Sequence, residues 1–270
     1  RIAFSINIPY SVLNWFYKPL AGKQGNEREK DKQQEQEKKL LPFDALSKHY
    51  TLTNLQWLTF KYIKAYGGFR DADALSSLSV EGTILQNGQT FDFLMRKKRP
   101  HSMRYRLSNE SNSIITGYDG SQGWVRTKIN GEVSIDLLDQ EARRKIRYQS
   151  RFDSPLFYHL QKREYQIELI ERTSLDERSV LVLEVIEYDS EASRYYLDLE
   201  TAHIVRVDHL GADGELSIQT LYRDYREVEG FPFAFEIETR VNGETKSLAK
   251  VNSIDVNPGI LSFYFAKPKR

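Results

Sequence analysis

The 270-residue chain is 40% hydrophobic and 29% charged, which is typical of a globular protein and excludes a disordered one. Its formal net charge of +1 gives no overall field that would attract nucleic acid or a membrane. The chain has no cysteine, which excludes disulfides, thiolate metal sites and a cysteine nucleophile.

The N-terminal part divides into an apolar arm and a charged linker. Residues 2–17, IAFSINIPYSVLNWFY, contain no charged side chain, but the run is shorter than the about 20 residues that span a bilayer. We expect residues 1–22 to be either the remnant of an export signal or membrane anchor, or a disordered or surface-docked arm. Residues 23–39 are almost wholly polar with both charge signs mixed, so residues 23–42 are expected to form a solvated linker.

Residues 43–270 are expected to form one domain, which opens with a helix. Leu58 and Tyr62 belong to an apolar face that recurs at helical spacing over residues 52–66. Gly67-Gly68 ends this pattern. The sequence therefore predicts an amphipathic helix ahead of the first strand.

From Leu78 onward the hydrophobic period changes to two. Phe91, Phe93 and Met95 occupy alternate positions, as expected for one face of a β-strand. Asn-Gly and Asp-Gly pairs, which accept positive φ in hairpin turns, recur at residues 87–88, 119–120, 130–131, 213–214 and 242–243. Strands joined in this way are antiparallel. The sequence predicts a mostly β protein with few helices, built on a large antiparallel sheet that curls because of its size.

A helical insertion is predicted at about residues 136–162, halfway along the sheet. Asp136 to Tyr148 contains an apolar line at helical spacing, which includes Leu138 and Ile146. Ser154-Pro155 is typical of an N-cap followed by proline at the first helical position, and it opens the stretch PLFYHL. The concave side of a curled sheet needs covering, and these helices are the available cover.

Motifs for catalysis or for a cofactor are missing from the sequence. The five histidines are scattered and form neither HExxH nor any metal-ligand spacing. The stretch GYDGSQGWVR, residues 117–126, is rich in glycine but lacks the Lys-Ser/Thr pair of a phosphate-binding loop, so Asp119-Gly120 is interpreted as a turn. We expect no enzyme activity, no cofactor and no bound metal.

Two clusters of basic residues remain. Strand alternation predicts that Arg96 and Lys98 share a face with Arg104 and Arg106 of the next strand. This patch suits anionic lipid headgroups or an acidic protein partner, or it is ordinary charge on an outer face. Nucleic acid is not expected, since no exposed aromatic residues are interleaved with these charges. The second cluster lies in the predicted insertion: Arg143, Arg144, Lys145, Arg147 and Arg151.

The order of these features resembles the LolA-like family of periplasmic lipoprotein carriers, whose relatives include LolB and the MucB-type sensors. The resemblance covers residues 66–269 and is carried by EGTILQNGQTFDFLMRKKRP (81–100), IITGYDGSQGWV (114–125), SPLFYHL (154–160), YYLDLETAHIVRV (195–207) and FYFAKP (263–268). It implies an incomplete antiparallel β-barrel with a helical lid around an apolar cavity. It also implies an exported, periplasmic monomer that binds the acyl chains of a lipid or lipoprotein without chemistry.

The resemblance further implies a contact between the sheet and the lid. In the family, an arginine before the proline of a Lys-Arg-Pro stretch reaches the lid from inside the barrel, and Arg99 holds that place here. If Arg99 points inward, alternation turns Lys97 inward as well, where its ammonium needs a partner. Candidate ligand-binding residues are therefore Arg99 with Phe91, Phe93, Met95, Met103, Tyr105 and Trp124 of the sheet, and Leu138, Ile146, Leu156 and Phe157 of the lid. The alternative for each apolar residue is plain core packing.

A second function remains open at this point. The same fold could serve as a membrane-anchored lipid-sensing or protein-interaction module. Its apolar arm would then be the anchor, residues 23–42 the tether, and the basic patch the contact surface.

Overall fold

The computed structural model describes residues 54–65, 74–151, 165–187, 192–211 and 214–269. The apolar arm, the charged linker and the predicted helix start at residues 154–160 lie outside these ranges. Within them, thirteen strands form one antiparallel sheet, accompanied by two α-helices and one 3-10 helix.

The helices and strands follow one another in the order that the helical and strand periodicities of the sequence predict. Helix α1 is Asn54–Ala65, helix α2 is Gln140–Gln149, and the 3-10 helix is Ser262–Phe265. The strands before α2 are β1 Ser77–Gln86, β2 Gln89–Lys98, β3 Ser102–Ser108, β4 Ser113–Tyr118, β5 Gly123–Ile129 and β6 Glu132–Leu137. The strands after α2 are β7 Tyr165–Leu175, β8 Arg178–Glu187, β9 Ser193–Asp198, β10 Ile204–Leu210, β11 Leu216–Val228, β12 Phe231–Val241 and β13 Glu244–Val256.

The first and last strands meet in the middle of the sheet. The spatial order is β6-β5-β4-β3-β2-β1-β13-β12-β11-β10-β9-β8-β7, and β1 pairs with β13 through, for example, Val80 and Ile254. Each half is a meander of neighbouring hairpins, and β6 and β7 are the two edge strands of the sheet. The sheet is curved and open, which confirms the predicted incomplete barrel.

Hairpin turns with left-handed backbone connect several of these strands. Asn87 and Gly88 have φ of 48° and 75°, and Asn242 and Gly243 have φ of 51° and 78°. Two consecutive residues with positive φ define the turn whose twist matches that of paired strands. The Asn-Gly signal in the sequence therefore predicted these turns correctly.

The helical insertion begins later than the sequence predicted. Residues 136 and 137 belong to strand β6, where Leu137 pairs with Trp124. Helix α2 starts only after Asp139, whose carboxylate accepts a hydrogen bond from the backbone N–H of Ala142 at 2.8 Å. At residues 136 and 137, pairing with β5 outweighs the helical pattern of the sequence. The hydrogen bonds of strand β6 and the cap by Asp139 together fix where the helix begins.

The outer face of the second half of the sheet holds a buried charge cluster. Glu238 is 6% exposed, and its carboxylate accepts hydrogen bonds from Arg240 at 2.6 and 3.1 Å and from Thr245 at 2.5 Å. Arg223 lies 2.8 Å from the same carboxylate. Burial by itself raises the pKa of Glu238, but the hydrogen bonds from Arg240, Thr245 and Arg223 outweigh it and lower this pKa to about 2.

Candidate functional site

The concave face of β2 and β3 carries most of the side chains predicted to line a cavity. None of them is more than 5% exposed: Phe91, Phe93, Met95, Met103 and Tyr105. The register places Met95 opposite Tyr105, and the rings of Phe93 and Tyr105 lie 6.2 Å apart. Alternation along two paired strands thus gathers these five residues into one apolar surface.

Helix α1 belongs to the same continuous hydrophobic cluster. Its residues Leu58, Tyr62 and Ile63 are at most 2% exposed and are part of the cluster that includes the concave side chains of β2 and β3. Lys61 of this helix donates a hydrogen bond from Nζ to the carbonyl of Leu199, between β9 and β10. The helix therefore covers apolar sheet surface and is fastened to the second half of the sheet.

Helix α2 approaches the concave face at a glycine. A Cβ on Gly123 would lie 2.9 Å from Cδ1 of Leu138 and 3.4 Å from Cγ2 of Ile146. Gly123 is on the concave side because it pairs with Tyr118, which in turn pairs with Met103. The predicted lid residues Leu138 and Ile146 therefore lie against the sheet, whereas Leu156 and Phe157 lie outside the described residues.

Lys97 connects the concave face to the end of α2. The residue is only 4% exposed, and its Nζ donates a hydrogen bond to the carbonyl oxygen of Arg151 at 3.2 Å. A buried ammonium needs such a partner, and the carbonyls at a helix C-terminus favour positive charge. Lys97 points inward, as strand alternation predicted. Its ammonium has a backbone partner, the carbonyl oxygen of Arg151, just beyond the end of the helix.

Arg99 holds the segment that enters β1. Its Nε donates to the carbonyl of Leu75 at 2.7 Å, and its backbone N–H donates to the carbonyl of Ser76 at 2.9 Å. The peptide bond from Arg99 to Pro100 is cis. Lys97 thus reaches the end of α2, and the lid contact of Arg99 stays a prediction.

Trp124 lies on the opposite face of the sheet from this apolar surface. It pairs with Gly117, which pairs with Arg104, and a Cβ on Gly117 would come within 2.2 Å of the indole. The indole Nε1 donates to the carbonyl of Phe265 at 2.8 Å. The prediction that Trp124 lines the concave cavity is therefore wrong. The side chains of β5 that point inward are set by the register of β5 with β4 and β3, and alternation along β2 and β3 does not determine that register.

The basic patch of β2 and β3 is largely covered by the C-terminal segment, residues 257–269. Lys98 donates to the carbonyl of Ile260 at 2.7 Å, and Arg104 donates to that of Tyr264 at 3.0 Å. The guanidinium of Arg96 lies 4.8 Å from the centre of the Tyr264 ring. The four predicted residues do share a face, but Arg106 is the one that is exposed. A cleft of about 310 Å³ remains between this segment and the sheet.

The hydroxyl of Tyr105 has no hydrogen-bond partner in the described part of the chain. It sits within the apolar surface at 0% exposure, and burial raises its pKa well above the usual value for tyrosine. An unsatisfied buried hydroxyl costs about 1–3 kcal/mol. Strand alternation predicted the inward direction of Tyr105, but no pattern in the sequence indicated that its hydroxyl would find no acceptor among the described residues.

The stretch at residues 117–126 forms the predicted turn. The carboxylate of Asp119 accepts hydrogen bonds from the backbone N–H groups of Ser121 at 2.8 Å and Gln122 at 2.7 Å. Burial is the largest single effect and by itself raises the pKa of Asp119, but these hydrogen bonds together outweigh it and lower this pKa. The aspartate shapes the β4–β5 hairpin, which is the role that turn aspartates commonly take.

No group of three or more metal-ligating side chains occurs within the described ranges. Of the helices in the same ranges, neither is long and apolar enough to cross a bilayer.

The geometry of the sheet and its helices is shared with several solved proteins. No protein-family model matches the sequence, and no curated protein matches it by sequence. A putative outer membrane lipoprotein-sorting protein domain from Vibrio parahaemolyticus is similar with a TM-score of 0.58 at 10% identity, over 79% of this chain and 96% of the other. A DUF1329 family protein from Desulfovibrio piger has a TM-score of 0.57 at 12% identity, over 80% and 98%.

A LolA superfamily protein from Nitrosomonas europaea is similar with a TM-score of 0.54 at 11% identity, over 80% of this chain and 99% of the other. These three structures are matched over almost their whole length. The chain therefore has a LolA-like fold, as the resemblance in the sequence implied.

Proposed function

We propose that the protein binds an acyl chain of a lipid or lipoprotein between the concave face and its helices, without catalysing a reaction. The observation that carries this is the apolar surface of β2 and β3, which is covered by separate helices rather than by a second sheet. Similarity to a putative outer membrane lipoprotein-sorting domain supports the same role and an exported, periplasmic location.

Entry of an acyl chain requires a helix to move, because the concave side chains of β2 and β3 are at most 5% exposed. Helix α2 is the short element, of 10 residues, and Lys97 ties its end to the sheet. A hydrogen bond from a charged donor contributes about 1.5–3 kcal/mol. Burial of each acyl methylene contributes roughly 0.8 kcal/mol, so about two to four methylenes offset the loss of this contact. A carrier with such a lid can both take up and release an ordinary acyl chain.

The Tyr105 hydroxyl supplies a polar group within the apolar surface. Hydrogen bonds orient ligands in pockets that are otherwise apolar. An ester, amide or carboxylate oxygen at the head of the acyl chain would accept from this hydroxyl and relieve its unsatisfied state. We therefore assign the acyl carbonyl end, rather than the methyl end, to the neighbourhood of Tyr105.

Native mass spectrometry of the purified full chain is the first test, and co-purified lipid is the expected result. A ligand-free protein that also refuses fluorescent fatty acids would contradict acyl-chain binding.

The Tyr105→Phe variant then tests the orientation of the ligand. Its affinity for a fatty-acid methyl ester should fall about three- to tenfold, which corresponds to the loss of one neutral hydrogen bond. Tyr196→Phe is the matched control, because that hydroxyl donates to Asp208 on the outer face. If Tyr105→Phe and Tyr196→Phe bind this ligand equally well, acyl-chain binding is not contradicted, but Tyr105 is not the group that contacts the carbonyl end.

A further inference from the structure

The outer face of strands β3 to β6 is basic. Its outward positions on β3 and β5 hold Arg104, Arg106, Arg126 and Lys128. The outward positions of β4 and β6 hold only serine, glycine and aliphatic side chains. No carboxylate therefore occupies an outward position on these four strands, although the protein as a whole is almost neutral. The acidic residues Glu81 and Asp92 lie beyond this area, on β1 and β2.

The exposed positive charges of this face have no ion-pair partner in the part of the chain that the structure describes. Among the described residues, Arg106, Arg126 and Lys128 form no ion pair, in contrast to the arginines that surround Glu238. Burial is the main cause that lowers the pKa of Arg104; Tyr264 opposes it, and the positive charges of Arg96, Arg106 and Arg126 lower this pKa further. The guanidinium groups are thus close enough to repel one another, and they create a local positive field.

Exposed apolar side chains border the same face. On the edge strand β6, Val133 and Leu137 are 50% and 54% exposed, and on the C-terminal segment Leu261 and Phe263 are 62% and 75% exposed. Trp124 joins the two groups, because it pairs with Leu137 and donates to the carbonyl of Phe265. Exposed apolar groups rimmed by polar residues mark interaction sites. We call this combination of basic and apolar residues the basic–apolar surface.

We propose that the basic–apolar surface docks on an anionic lipid bilayer, with Phe263 and Leu261 entering the interface and Arg106, Arg126 and Lys128 meeting lipid phosphates. The charges are dispersed and unpaired, which suits a fluid array of phosphates better than the fixed carboxylates of a folded partner. Each basic side chain near an anionic surface strengthens binding by roughly fivefold. Docking of this kind involves the outer face and does not rest on acyl-chain binding at the concave face.

A fluorophore placed at the apolar rim tests this docking in the full chain. The protein has no cysteine, so Phe263→Cys provides a single site for an environment-sensitive label. Leu216→Cys is the control site, since Leu216 is 41% exposed and lies on β11, in the other half of the sheet. The labelled proteins are titrated with vesicles of equal parts phosphatidylglycerol and phosphatidylcholine, and with pure phosphatidylcholine. We expect a blue shift at position 263 with the anionic vesicles, weakened by salt, and no shift at position 216.

Charge variants in the Phe263→Cys background identify the docking face. Arg126→Ser with Lys128→Ser should lower the affinity for anionic vesicles by about tenfold or more. Arg143→Ser with Arg144→Ser removes the same charge from the exposed side of helix α2 and should change the affinity less than twofold.

Three results would overturn docking at this surface. In the first, the label at position 263 does not respond to anionic vesicles. In the second, the two charge variants bind these vesicles equally well. In the third, the label responds to soluble polyglutamate but not to vesicles, which would indicate an acidic protein partner.

Discussion

Replacing Lys97 by methionine is expected to loosen helix α2 from the sheet. Methionine keeps the length and the apolar stem of the side chain but removes the ammonium, which donates to the carbonyl of Arg151 at 3.2 Å. The side chain is 4% exposed, so water does not readily replace the lost donor while the helix stays in place. Opening of the helix frees this carbonyl to bind water, and the variant therefore favours the open form.

The size of the effect follows from the kind of hydrogen bond that is lost. A charged donor contributes about 1.5–3 kcal/mol, and each 1.4 kcal/mol is a factor of ten in an equilibrium constant. The population of open α2 should therefore rise about ten- to hundredfold. Global stability should fall by less than this, because the variant no longer has to bury an ammonium.

Amide hydrogen exchange in helix α2, measured by mass spectrometry, reports this opening. Exchange at residues 143–150 should accelerate by the same ten- to hundredfold factor in Lys97→Met. The comparison variant is Arg99→Leu, which removes the donor to Leu75 and should accelerate exchange mainly where the chain enters β1. If Lys97→Met leaves α2 within twofold of the wild type, the reasoning is refuted. If Arg99→Leu accelerates α2 instead, Arg99 makes the lid contact that the family resemblance implied.

Two further predictions concern the outer face. Gly117→Ala places a Cβ within 2.2 Å of the Trp124 indole, so it should lower the free energy of unfolding by about 1–3 kcal/mol in urea titrations; an unchanged midpoint would contradict the packing of indole on glycine. Glu238 has a pKa lowered to about 2 by its arginine and threonine partners, whereas an unfolded glutamate titrates near pH 4.3, about its usual value. The stability that it contributes is thus present above that pH and is lost as pH falls toward 2. Glu238→Gln should flatten the pH dependence of stability in this window, and a curve parallel to the wild type would show that Glu238 does not cause it.

The two faces of the sheet support different roles. The concave face places an apolar surface, the unsatisfied hydroxyl of Tyr105 and the ammonium of Lys97 beneath two helices. The outer face of β3 to β6 combines cations that form no ion pair with any described residue and the exposed side chains of Phe263 and Leu261. If both proposals hold, a bilayer contacts the outside of the sheet while an acyl chain occupies the inside.

The class of fold and much of the local structure follow from the amino-acid sequence alone. Period-two alternation and Asn-Gly pairs predicted the antiparallel strands and their turns, because side-chain direction and positive φ are local properties. Alternation also predicted that Met95 and Lys97 face the same side, since within one strand it needs no knowledge of neighbouring strands.

The partners of these side chains depend on the tertiary fold. The register across β3, β4 and β5 places Trp124 on the outer face, and this register depends on hydrogen bonds between strands. Strand pairing with β5 delayed the start of α2 until after Asp139. Residues more than a hundred positions apart also came together, as the C-terminal carbonyls of Ile260 and Tyr264 did with Lys98 and Arg104. Such contacts depend on the path of the whole chain, and no local pattern of residues encodes them.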